Sequence, residues 1–216
     1  MTTRSDPGEN DRRAYALAFA LLAVAGAVDA IGFLHFRTFY VSFMSGNTTR
    51  VAVALGQTDL SLAMQGAIMI VAFVVGVVAG ELLTGTASRR RPLTLTTEAV
   101  LALLAAGFES GLTSSILLAL AMGMHNSLML RLEGVGVALT YVTGTLVHVG
   151  QGIAAVLSGR RGRDPIWPYA GMWLSLTLGA VAGTAAMRRG EANALIAIAI
   201  CLTILTIPAR PRRKEK

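Results

Sequence analysis

The chain has 216 residues, of which 54% are hydrophobic and only 14% charged, and its mean hydropathy is +0.61. A soluble domain carries about 25% charged residues, so the composition excludes an ordinary soluble protein and indicates an integral membrane protein. The net charge of +7 does not mark a nucleic-acid binder, because Lys and Arg gather at the ends of apolar segments and in the tail from Arg210 to Lys216, where membrane topology places them.

Residues 1–13 are polar and read as a disordered cytoplasmic terminus. Eight apolar segments follow, at about 14–34, 39–57, 62–84, 93–109, 112–131, 137–157, 167–187 and 191–207. The first has a small-residue site, Ala25-Gly26-Ala27, of the kind that ends a signal peptide. Its apolar run continues to Leu34, the length of a full span, so it is read as a retained helix. Asp29 lies well inside it, and a carboxylate at that depth is a functional candidate by default. Arg50 is a candidate ion-pair partner for it.

The second segment contains Ser42-Phe43-Met44-Ser45-Gly46-Asn47, and the sixth follows Thr140-Tyr141 with Val142-Thr143-Gly144-Thr145. Each has a Gly between hydroxyl or amide side chains, with Arg50 or His148 four residues beyond the Gly. Loosened backbone groups in lipid have no water to bond, so two such breaks in matching places suggest a duplicated protein with a functional centre near mid-bilayer. Asp29 and Asn126 sit in matching places ahead of the two motifs. Gly76-x-x-x-Gly80 matches Gly179-x-x-x-Gly183, and such small-residue pairs let helices approach closely in lipid.

Charge distribution chooses between topologies. If all eight segments cross, the inner side holds eleven basic residues and the outer side eight. If the second and sixth enter and return, the inner side holds fifteen and the outer side four. The expected fold is therefore all-α, with six crossings, two Gly-broken re-entrant half-helices and both termini cytoplasmic. Three crossings per repeat make the repeats, 14–109 and 112–207, inverted; residues 208–216 form a basic cytoplasmic tail. The alternative is more crossings with parallel repeats.

In the six-crossing arrangement the half-helices 47–57 and 145–157 point their N-termini at a shared space. Ser45, Asn47, Thr48, Thr143 and Thr145 are good caps there, and such ends favour an anionic or carbonyl-bearing guest. The candidate solute site comprises Asp29, Ser45, Gly46, Asn47, Arg50, His125, Asn126, Thr143, Gly144, Thr145 and His148. Glu98 is expected to form a surface or interface pair near Arg91. Trp167, Tyr169 and Trp173 read as an interfacial aromatic belt.

No His, Cys or carboxylate group has metal-ligand spacing, and Cys201 is the single cysteine. Phosphate-binding, dinucleotide and nucleophile-elbow motifs are lacking too. The sequence therefore calls for no cofactor and no enzymatic chemistry. Three functions compete: a secondary permease for a small polar or anionic solute, a passive channel, and a non-transporting scaffold. The expected surroundings are the lipid bilayer and one small solute, with a homodimer compatible with so small a body.

Two stretches carry a family resemblance. One is Ala25-Gly26-Ala27-Val28-Asp29-Ala30-Ile31-Gly32-Phe33-Leu34 with Phe43-Met44-Ser45-Gly46-Asn47-Thr48; the other is Ala121-Met122-Gly123-Met124-His125-Asn126-Ser127 with Tyr141-Val142-Thr143-Gly144-Thr145-Leu146. Together they resemble the YoaK family of bacterial membrane proteins, also called DUF1275 or UPF0700. That family more often has Gln where this chain has His125. The resemblance implies a bacterial inner-membrane protein and supplies no substrate and no catalytic residue.

Overall fold

The computed structural model describes residues 9–36, 38–84, 90–108, 111–130, 142–159 and 166–207. Among them every regular element is a helix: α1 (Glu9–Phe36), α2 (Met44–Gly56), α3 (Leu60–Thr84), α4 (Arg91–Ala106), α5 (Leu112–Leu130), α6 (Val142–Leu157), α7 (Ile166–Met187) and α8 (Glu191–Leu205). Four stretches, Ala14–His35, Leu60–Thr84, Leu112–Met129 and Ile166–Met187, are long and apolar enough to cross a membrane. α4 and α8 have 16 and 15 residues, which is about 22–24 Å of helix against a hydrocarbon core of about 30 Å. They are shorter than the spans expected there.

α2 and α6 start at Met44 and Val142, three residues before the expected half-helices. Gly46 and Gly144 therefore lie within the first helical turns. In the first half the departure from helix comes earlier, over residues 38–43. Glycine is not the breaking element; the run ahead of it is.

Two helix pairs dominate the packing: α1 with α7, and α3 with α5. Each pair runs parallel. Ala23 faces Gly179 and Ala27 faces Gly183; Leu120 faces Gly76 and Met124 faces Gly80. Gly26 and Gly123 complete the two interfaces from the other side, against Leu176 and Ala180 in one pair and Phe73 and Val77 in the other. A Cβ at any of these glycines would press on the facing backbone; at Gly80 it would stand 2.8 Å from the Met124 Cα. With no hydrophobic drive between helices in lipid, such close approach supplies dispersion contact in its place.

The remaining contacts fix directions. Ser114 Oγ donates to the Ala105 carbonyl at 3.3 Å, turning α5 back along α4. The Thr84 and Thr94 hydroxyls bond at 2.7 Å between the end of α3 and the start of α4. At the end of α1, His35 Nε2 accepts the Gly111 N–H at 3.2 Å and Nδ1 lies 2.6 Å from Glu191 Oε2. The end of α1 and the starts of α5 and α8 thus meet on one side of the bundle. Trp167 packs beside Tyr15 at a ring separation of 5.2 Å, which brings the starts of α1 and α7 together on the opposite side.

Small and aliphatic residues fill the interior, among them Leu21, Leu22, Ile31, Met122, Met129 and Leu195. The outer faces stay apolar: Val71, Val74, Val75, Val78 and Leu82 on α3, Leu174, Leu178 and Val181 on α7, and Ile196, Ile200 and Ile204 on α8 are all exposed. A surface of that extent is a liability in water and at home in lipid.

Gly179→Val is expected to destabilise the protein by about 1–3 kcal/mol or more through overpacking. Gly56→Ala, where a Cβ meets nothing within 4 Å, should be neutral or slightly stabilising. Thermal midpoints in detergent check both; equal midpoints would contradict the packing described.

Candidate functional site

Residues 38–43 double back along α1 before α2 begins, and many of their polar backbone groups have named partners. Val41 N and Ser42 N donate to Asp29 Oδ1 at 3.0 and 2.8 Å, and the Ser42 hydroxyl donates to Asp29 Oδ2. Asn47 closes both sides of Tyr40: its Oδ1 accepts the Tyr40 N–H at 2.9 Å and its Nδ2 donates to the Tyr40 carbonyl at 2.7 Å. Arg50 Nη1 donates to the Thr38 carbonyl. Met44 N reaches the Ser42 carbonyl at 3.0 Å and Asn47 N the Phe43 carbonyl at 3.2 Å. Because Thr38 pairs with Arg50 and Tyr40 with Asn47, the run and α2 form a hairpin. Its tip, at Ser42 and Phe43, lies beside Asp29, about two turns from the end of α1.

Apolar contacts seat this hairpin. Val41 is buried over Gly32, and buried Phe39 lies against Gly66 of α3. Gly46 has its own reason to lack a side chain. A Cβ there would stand 2.5 Å from the Phe43 ring, so Gly46 lets that ring fold over the first turn of α2.

A cavity of about 360 Å3 opens beside the tip. Asp29, Phe33, Tyr40, Ser42 and Phe43 line it from α1 and the hairpin, Val142 and Thr143 from the start of α6, and Gly26, Ala30, Leu176 and Ala180 from the α1/α7 interface. Phe33 and Tyr40 stack at 5.0 Å, and the Phe43 ring stands at 86° to Tyr40 at 5.4 Å. Both Gly motifs therefore reach one space, through residues 42–43 and 142–143.

The expected site residues divide into groups. Asp29 and Thr143 face the cavity. Gly46, Asn47 and Arg50 build its hairpin. Asp29 and Arg50 do not pair; the guanidinium goes to Thr38 and the carboxylate to the backbone of the tip. Ser45 is exposed on α2. Thr145 does not cap an open helix end but donates to the Val142 carbonyl within its own turn, at 2.6 Å. Gly144 lies beside Thr143 in the first turn of α6 and is outside the cavity lining. His148 is exposed and stacks on Tyr169 at 4.4 Å, away from the lining, so Tyr169 is more than an interfacial belt residue.

His125 and Asn126 belong elsewhere. His125 is wholly buried, with Nδ1 2.7 Å from Glu98 Oε2 and Nε2 3.1 Å from the Leu21 carbonyl. A carbonyl only accepts, so Nε2 carries a proton, and a second proton lies between Nδ1 and Glu98. Glu98 is thus the buried partner of His125 and not a surface residue near Arg91. Removing one member of such a pair leaves the other uncompensated in the core. Asn126 Nδ2 donates to the Met122 carbonyl within its helix at 3.2 Å. Sequence reasoning missed Phe33, Tyr40 and Ser42 as cavity residues, although Ser42 opens the motif and Tyr40 lies two residues ahead of it.

Asn47→Ala would strip Tyr40 of both partners. The expected cost is about 1–3 kcal/mol for each buried group left unpaired, read as a fall in thermal midpoint, with faster hydrogen exchange at Tyr40. Unchanged exchange would mean that the hairpin does not depend on Asn47.

Comparison with known proteins agrees with a membrane-spanning chain. A family model described as a protein of unknown function, DUF1275, matches residues 17–207. A UPF0700 transmembrane protein of Rhizobium meliloti (strain 1021) is 37% identical over 200 residues, covering 92% of this chain and 88% of that protein. No solved structure matches the chain.

Proposed function

The chain belongs to the DUF1275 family of membrane proteins, and we propose that it is a permease carrying a small polar solute through the cavity at Asp29. The observation that carries this reading is the joint lining of one cavity by the α2 hairpin tip and the start of α6. Irregular backbone at membrane depth is tolerated where it lines a cavity, and sites of this construction occur at the interface of inverted repeats in carriers.

The topology belongs to the same proposal. Six helices cross, α2 and α6 return to the side they entered from, and residues 14–109 and 112–207 are inverted repeats. Two facts support this. The parallel pair α1/α7 and the parallel pair α3/α5 use corresponding glycines in the same register. His35 also joins the end of α1 to Gly111 and Glu191; an α2 that crossed fully would put Gly111 on the far side. Together with the charge distribution, these facts support a reading in which both termini lie in the cytoplasm of a bacterial cell and the protein lies in its inner membrane. α4 and α8, being short, cross where neighbouring helices or a thinned bilayer accommodate them.

Rocking of one repeat against the other would open the cavity alternately to the two sides. Asp29 is the charged side chain among the described residues lining it, and so the group through which solute movement would be coupled to protons. A passive channel shares the fold argument but calls for a continuous pore, and this cavity is a pocket against α7. The cavity's polar side chains, a carboxylate with hydroxyls nearby, suit binding better than catalysis.

Thr143→Cys in a Cys201→Ser background tests the reading without a known substrate. A membrane-impermeant maleimide should label Cys at this position from either side of the bilayer, while vesicles holding the protein stay tight to sucrose. Labelling from one side only would contradict alternating access, and leaky vesicles would favour the channel.

A further inference from the structure

We propose that the solute recognised at this cavity is a small organic cation, a methylated ammonium in preference to an anion. The proposal rests on the permease reading for the cavity's purpose and on the cavity's own chemistry for its choice of guest.

The charge comes first. Among the described residues lining the cavity, Asp29 is the one charged group. Both basic candidates near the motifs are engaged away from it: Arg50 on the Thr38 carbonyl and His148 on the face of Tyr169. An anion entering here would meet a carboxylate with no cation to offset it. Just ahead of α2 the N–H groups of Val41 and Ser42 are already taken by Asp29, so an anion approaching that end would face a resident carboxylate.

Asp29 keeps capacity for a guest. Oδ1 accepts two backbone N–H groups, while Oδ2 accepts only the Ser42 hydroxyl among the bonds described. A carboxylate oxygen has two acceptor positions, so one remains on the oxygen not committed to the backbone. The two N–H bonds orient the carboxylate in advance.

The walls come second. Phe33 and Tyr40 stack at 17°, and Phe43 stands across Tyr40 at 86°, so ring surfaces meet at a corner of the cavity that Asp29 also lines. Aromatic faces attract cations through the ring quadrupole, more strongly where water is excluded, and quaternary ammonium groups are the usual guests of such corners. A further part of the lining is Gly26, Ala30, Leu176 and Ala180, at the α1/α7 interface. It offers apolar contact to N-methyl groups and little replacement hydration for a bare metal ion. The volume, about 360 Å3, is near the lower end of ligand sites, which run from about 300 to 1,000 Å3, and suits a solute of several heavy atoms.

Three probes of one shape separate charge from size: choline, its neutral carbon isostere 3,3-dimethylbutan-1-ol, and the anion 3,3-dimethylbutanoate. Each is titrated against the full-length protein in detergent, following thermal midpoint and tryptophan fluorescence, and then offered to proteoliposomes for uptake. Choline is expected to bind best and the anion worst. Phe43→Leu, a change at a partly exposed ring that leaves the Asp29 bonds intact, should weaken choline about tenfold and leave the neutral isostere nearly unaffected. Asp29→Asn should abolish the preference for positive charge. If Asp29→Asn does not fold, the Phe43→Leu result decides.

Equal or tighter binding of the neutral or anionic probe overturns the cation assignment, as does failure of all three to bind. Uptake of the anion in preference to choline would also overturn it while sustaining the permease. Ordered choline binding without any uptake would sustain the cation site and count against the permease.

Discussion

A peptide group taken into hydrocarbon without a partner costs several kcal/mol, and the region around the cavity depends on how one short run avoids that cost. Residues 38–43 are not helical, yet they lie against the interior of α1. Asp29 makes this tenable by accepting two backbone N–H groups and a hydroxyl at the hairpin tip. Asn47 and Arg50 do the same for the limb that precedes it. Those donors fill three of the carboxylate's four acceptor positions, so each side lowers the other's penalty.

The glycine interfaces provide the frame in which this hairpin sits. Backbone-to-backbone contact between α1 and α7 holds Gly26 against Leu176 and Ala180, and the same three residues form one wall of the cavity. The corresponding contact between α3 and α5 has Glu81 accepting from Ser127 at 3.0 Å, and beside it His125 of α5 meets Glu98 of α4. The halves thus share a packing scheme and differ in their polar content. Asp29 is turned to a loop and a cavity, whereas Asn126 is turned to its own helix.

Much of this was legible in the residues. Apolar length and charge placement gave the helices and the expected direction of each one, and Asp29 and the Gly motifs marked the region that the cavity occupies. The helices start ahead of the places the glycines suggest, because Gly is not the breaking point. The break is set by hydrogen-bond partners, Asp29 and Asn47, that lie twelve and seven residues away from the groups they bind at Val41 and Tyr40, and no local propensity encodes such a pairing. His125 lies away from the cavity for a related reason. Its neighbour Asn126 matches Asp29 in position, but adjacent residues on a helix point about 100° apart, and His125 turns toward α4. Glu98 likewise has an Arg within two turns in sequence and a His across the helix interface in space.

The claim on which the account stands is that the two Gly motifs, nearly one hundred residues apart, meet at one cavity. Phe43→Cys combined with Thr143→Cys, in a Cys201→Ser background, measures this directly through a short bifunctional thiol reagent applied to membranes. The account predicts an intramolecular cross-link in the monomer that is lost when either cysteine is omitted and protected by an excess of a monofunctional thiol reagent. Independent modification of the two cysteines, with no cross-link at any reagent length below about 10 Å, would contradict it.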